Sequence, residues 1–139
     1  LSDKTRKALE FATEKHSGQV DRAGKPYIEH PKAVAKMLLK DDEKVVALLH
    51  DTVEDTDATI EEIRSKFGDK IADAVDCLTH KDGVPYMEYV KGIKPNELAR
   101  KVKMADLTHN MDVRRLPEVT EADEKRIKKY KKAYDYLIS

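Results

Sequence analysis

Apolar residues recur along this chain at three- and four-residue spacing, and no stretch keeps the strict alternation of a half-buried strand. The first such segment carries Ala8, Leu9, Phe11 and Ala12, starts at a Ser2-Asp3 cap and stops near Gly18. Gln19 to Tyr27 holds Gly24 and Pro26 and reads as a loop. Pro31 suits a first helical turn, because it has no N–H to leave unpaired, and that helix runs on through Val34, Met37 and Leu38. Asp41-Asp42 opens a third helix, which continues through Val45 to Leu49 into His50-Asp51. Thr59 and Glu62 have the spacing of a capping box for a helix ending near Phe67-Gly68. Asp69 starts the next, to about Thr79. A short helix from about Tyr86 stops near Gly92, a long one runs from Glu97 to about Arg114, and the last covers Glu121 to Leu137. The expectation is an all-α bundle of roughly eight helices, forming a single domain over residues 1–139.

Composition narrows the function. The 27 basic and 27 acidic residues cancel, so the basic excess of a dedicated nucleic-acid binder is absent. Charged residues are abundant at 39%, yet the regular apolar pattern and zero net charge argue against disorder. The lone cysteine, Cys77, rules out an internal disulfide and reads as a small core residue. No apolar run approaches the ~20 residues that span a bilayer. No signal-peptide pattern is visible either, so a cytoplasmic protein without membrane or nucleic-acid partners is expected.

His50-Asp51 is the densest chemical signal. An apolar helix leads directly into two metal-type ligands, and burying such groups is costly unless a cation compensates them. Adjacent helical residues point about 100° apart, so both can flank one ion beside the helix. His30 and Asp106 are the further candidate ligands and must arrive from other helices. Two imidazoles with two carboxylates make a mixed site suited to a first-row divalent ion. Glu54 and Asp55 follow one turn later, where the helix dipole disfavours carboxylates. Near an ion they can orient a water, take its proton or protonate a leaving oxygen.

In combination, His16-Ser17-Gly18-Gln19, Gly24 to Pro31, Ala47 to Thr56, Phe67-Gly68 and Lys103 to Met111 resemble the hydrolase domain of the RelA/SpoT family, within the HD superfamily of metal-dependent phosphohydrolases. The small stand-alone members are the most similar. The resemblance implies Mn²⁺-dependent removal of pyrophosphate from the 3′ position of guanosine 3′,5′-bis(diphosphate). It implies His30, His50, Asp51 and Asp106 as ligands, Glu54 and Asp55 as catalytic carboxylates, and Asn110 in contact with substrate. Basic residues at the mouth, Lys25 among them, would take the remaining phosphates. Family members often carry an Arg-Lys pair where this chain has Val20-Asp21-Arg22-Ala23. Arg22 can still stack on a base, whereas Asp21 has the wrong charge for a phosphate. Another phosphorylated nucleotide, such as a nicotinamide dinucleotide phosphate, is the alternative substrate. A non-catalytic metal or nucleotide sensor is the alternative class, and it has no need for the Glu54-Asp55 pair. His109 and His16 read as structural neighbours of the site, and His80 as a helix-end residue. Tyr86, Tyr89, Tyr130, Tyr134 and Tyr136 read mostly as packing residues, with Tyr130 and Tyr134 on one helix face from which a late tyrosine could reach a base or ribose.

Overall fold

The computed structural model describes residues 1–114 and 116–139. Over these residues the chain forms α1 (Asp3–Lys15), α2 (Glu29–Lys36), α3 (Asp41–Leu49), the single turn α4 (Thr52–Asp55), α5 (Ile60–Phe67), α6 (Asp69–Leu78), α7 (Tyr86–Ile93), α8 (Glu97–Met111) and α9 (Glu121–Ile138). Among the described residues there is no sheet, only an isolated antiparallel bridge between Val20 and Pro26 that closes the loop after α1. No helix among them is long and apolar enough to cross a membrane.

Local chemistry sets the helix ends. Ser2 Oγ accepts the Thr5 amide at 3.1 Å and starts α1. Thr59, Asn96 and Thr120 do the same for α5, α8 and α9. Gly68 lies at φ 93° and serves both as the end of α5 and the start of α6. Only a residue without Cβ takes that backbone conformation at no steric cost.

α3 is the centre of the bundle. Val45, Val46, Ala47, Leu48 and Leu49 are all buried, and α1, α2, α6 and α8 pack around them. A helix apolar on every side belongs inside, which is why this segment lacks a polar face. Each fully buried aliphatic side chain there contributes about 1.5–3 kcal/mol relative to exposure. α9 packs on α8 and α7, and α5 pairs with α6. Cys77 is partly buried against this core, and burial pushes its thiol up, in keeping with an inert packing role.

Several ends differ from the sequence expectation. α2 stops at Lys36, before Met37 and Leu38, and α8 stops at Met111, short of Arg114. Gly92 lies inside α7 and does not end it. The most consequential difference is at His50-Asp51. The helix does not run through this pair. His50 closes α3, Asp51 opens α4 at φ −99° and ψ −3°, and Thr52 Oγ1 donates back to the Leu49 carbonyl at 2.8 Å.

Candidate metal centre

The break after Leu49 turns His50 and Asp51 out of the core and toward α2 and α8. His30 comes from the first turn of α2, and Asp106 from the middle of α8. His30, His50 and Asp106 each offer a ligand atom within 4.8 Å of the other two, and all three side chains are buried. Asp106 Oδ1 lies 2.7 Å from His30 Nε2 and 3.2 Å from His50 Nε2. Asp51 Oδ2 reaches the same two nitrogens, at 3.9 Å and 3.2 Å. It also accepts the Tyr27 hydroxyl at 2.5 Å.

The donor chemistry fits a divalent ion. His50 Nδ1 lies 2.5 Å from the Ala47 carbonyl, which can only accept, so Nδ1 carries hydrogen. In the neutral ring, Nε2 then presents its lone pair to carboxylate oxygens of Asp51 and Asp106, an arrangement that needs a cation between them. Burial acts to lower the His50 pKa, but the charges of Asp51 and Asp106 override it and hold the imidazole well above its ordinary range. Burial likewise opposes ionisation of Asp106, yet Lys103 and the imidazoles hold that carboxyl well below its usual range.

Neighbouring groups fix the ligands in place. His30 Nδ1 lies 2.7 Å from His109 Nδ1, so the sequence reading of His109 as a structural neighbour matches its position. Asn110 donates to Asp106 Oδ1 at 3.2 Å, and the Lys103 ammonium sits 3.1 Å from Asp106 Oδ2. Lys103 is largely buried and lies over the rings of Tyr89 and Tyr86, at 5.2 Å and 5.9 Å. His16 is buried against the Tyr27 ring, and its Nδ1 lies 2.9 Å from Gln19 Oε1.

The centre opens into a cavity of about 300 Å³ lined by Tyr27, Glu54, Asp55, His80, Tyr86, Lys103, Asn110, Lys129 and Tyr130, among others. Glu54 and Asp55 stand at its exposed edge. Glu54 Oε1 accepts the His80 amide at 2.6 Å, which aims that carboxylate. The Asp55 carboxyl is pushed up to about 6, first by partial desolvation and then by the charges of Asp51 and Glu54. A second cavity of about 310 Å³ continues from it and shares Tyr27, His30, Asn110 and Tyr130. Arg22 lines that second cavity, whereas Lys25 is exposed in the tight 21–25 turn and lines neither. Asp21 caps this turn, its Oδ1 accepting the amides of Ala23 and Lys25.

The structure therefore gathers His30, His50, Asp51, Glu54, Asp55, Asp106 and Asn110 around one centre, with Arg22 farther along the cleft. Sequence reasoning missed Tyr27, Lys103 and Lys129, and placed His80, Tyr86 and Tyr89 outside the chemistry. Lys103 had a usable signal, because it precedes Asp106 by three residues on one helix face. Tyr27 and His80 lie outside the helices, where no periodicity points to their partners.

Comparison with known proteins agrees with this architecture. The HD domain family model matches residues 8–116. The guanosine-3′,5′-bis(diphosphate) 3′-pyrophosphohydrolase of Aquifex aeolicus is 44% identical over 89 residues, covering 61% of this chain and 13% of its own length. The protein of the same activity from Danio rerio is 40% identical over 116 residues, covering 74% of this chain and 64% of its own length. A solved structure described as a metazoan ortholog of SpoT that hydrolyzes ppGpp superposes with a TM-score of 0.79 at 25% identity, over 99% of this chain and 86% of that one. With its HD-family match, these relatives and a buried His/His/Asp centre, the chain belongs to the HD superfamily of metal-dependent phosphohydrolases, in its RelA/SpoT-type hydrolase branch.

Proposed function

We propose that this domain hydrolyses guanosine 3′,5′-bis(diphosphate) to GDP and pyrophosphate, with Mn²⁺ held by His30, His50, Asp51 and Asp106. The observation that carries the reading is one cavity that joins three elements. It has a divalent-type donor set at its base, Lys103 and Lys129 as cations beside it, and Glu54 and Asp55 at its edge. A divalent ion there supplies Lewis acidity toward a phosphate oxygen and a water.

The chain's own groups do the rest. Lys103 and Lys129 offset the phosphate charge that accumulates as water attacks. Glu54, aimed by the His80 amide, orients the water with its other oxygen. Asp55, with a carboxyl near 6, is poised to take the water's proton. The water oxygen joins the phosphorus attached to the 3′ oxygen. The bond between that phosphorus and the 3′ oxygen breaks, and the leaving oxygen receives the proton that Asp55 took from the water. Asn110 holds the Asp106 carboxylate while lining the path to the second cavity.

The test is turnover of guanosine 3′,5′-bis(diphosphate), a nicotinamide dinucleotide phosphate and common nucleotides by the Mn²⁺-loaded protein, with pyrophosphate and orthophosphate scored separately. Pyrophosphate from the bis(diphosphate), abolished by chelation, is the expected result. Orthophosphate from another nucleotide, with the bis(diphosphate) untouched, would move the domain to a different substrate class.

A further inference from the structure

The second cavity is lined, among the described residues, by two arginines and three aspartates: Arg22, Arg126, Asp21, Asp112 and Asp123. The carboxylates are not equivalent. Asp21 caps its own loop, and Asp112 binds Arg114 through both oxygens. Asp123 is the third residue of α9 and is 2% exposed. Its Oδ2 accepts the Thr120 amide at 2.9 Å and the Thr120 hydroxyl at 3.0 Å, closing the helix cap. Its Oδ1 takes the guanidiniums of both Arg22 and Arg126. Arg22 lies 101 residues away in sequence, so this contact ties the 19–27 loop to α9.

Two guanidiniums brought side by side repel each other unless an anion lies between them. One carboxylate between two arginines leaves the Arg22–Asp123–Arg126 trio with a single net positive charge, next to Asp21 at the loop end of the cavity. Each guanidinium has five N–H donors and spends one on Asp123. Both arginine side chains stay partly exposed, at 52% and 34%, beside Tyr130 and Ile127. A planar, net-positive pair of forks suits phosphate oxygens.

We infer that Asp123 is a positioning residue that holds Arg22 and Arg126 together as a clamp for the substrate phosphate farthest from the metal centre. The inference rests on the nucleotide reading above and adds the role of Asp123. A nucleotide reacting at its 3′ end in the first cavity lays its ribose along Tyr27, His30, Asn110 and Tyr130, and sets its 5′ phosphates on the clamp. Arg22 then reads phosphate through its tether to α9 and does not stack on the base. The Asp123 carboxyl is held below its ordinary range, first by the Thr120 amide, so it stays anionic between the two arginines.

Calorimetric binding of GDP and of guanosine separates the 5′ phosphates from the base. Wild type is expected to bind GDP about tenfold tighter than guanosine or more, the effect of a charge-assisted hydrogen bond. Arg22→Gln and Asp123→Asn should each erase most of that ratio. The double variant should be no worse than either single one, and Mn²⁺ affinity should stay at the wild-type value in all three. Asparagine retains an oxygen for the Thr120 cap. Should Asp123→Asn nonetheless fail to fold, Arg22→Gln, Arg126→Gln and their double variant carry the same non-additivity test. Equal GDP and guanosine affinity in wild type, a ratio that survives in Asp123→Asn, or additive losses would overturn the clamp. Turnover of the bis(diphosphate) is scored separately. Turnover with an unchanged binding ratio sinks only the clamp, and clamp-dependent GDP binding without turnover sinks only the proposed substrate.

Discussion

Tyr27 spends its hydroxyl on Asp51, a group that otherwise faces two imidazoles, and burial with the Asp51 charge keeps the phenol protonated far above its ordinary range. Removing that donor in Tyr27→Phe should weaken Mn²⁺ binding by about tenfold, the lower end of effects from groups that orient a ligand. Turnover at saturating metal should persist; unchanged metal affinity by titration calorimetry would deny Tyr27 this role. Asp51→Ala and Glu54→Gln should both abolish turnover, and only the former should also lose metal. Equal metal loss in both would place Glu54 on the ion. Asp55 gives a pH test. Its folded carboxyl sits at about 6 against an ordinary 3.8, so the folded chain binds more protons between those values, and stability falls as pH rises through them. Asp55→Asn removes that cost. With chelator present, its melting temperature should match wild type near pH 4 and exceed it above about pH 6. The gain should be on the order of 1 kcal/mol once solvent screening at the open edge is allowed for. A difference that does not grow with pH would contradict the assignment.

At the scale of elements, helix starts were the most legible part of the chain. Ser2, Thr59, Asn96 and Thr120 cap as their side chains dictate, because capping is a local interaction. The turn at His50-Asp51 was not legible, since both residues tolerate helical geometry and their partners His30 and Asp106 come from distant parts of the chain. The ligand types could be read from the sequence, and so could Lys103, which shares a face of α8 with Asp106. Tyr27 and His80 could not, because they meet the centre only through contacts between elements. Gly68 offers a clean test of local geometry. A Cβ added there meets nothing within 4 Å, so Gly68→Ala probes backbone conformation alone. It should cost about 1–3 kcal/mol, read as a lower denaturant midpoint with metal affinity intact. A neutral result would mean the α5–α6 corner relaxes to another conformation.

For the whole molecule, His30 and Asp106 meet across 76 residues of sequence, with His50 between them in the chain. Saturating Mn²⁺ should therefore stabilise the entire domain, by about 2.7 kcal/mol at a hundredfold excess over Kd. Chelation should reverse that gain, and a melting temperature insensitive to both would show that the centre does not hold the ion in the folded state. The geometry also has a kinetic consequence. An ion gripped by α2, by the α3–α4 corner and by α8 is a crosslink among segments that could otherwise open separately. Amide hydrogen exchange in α2 and α8 should then slow together when metal is added, and these helices should leave the bundle only as one unit.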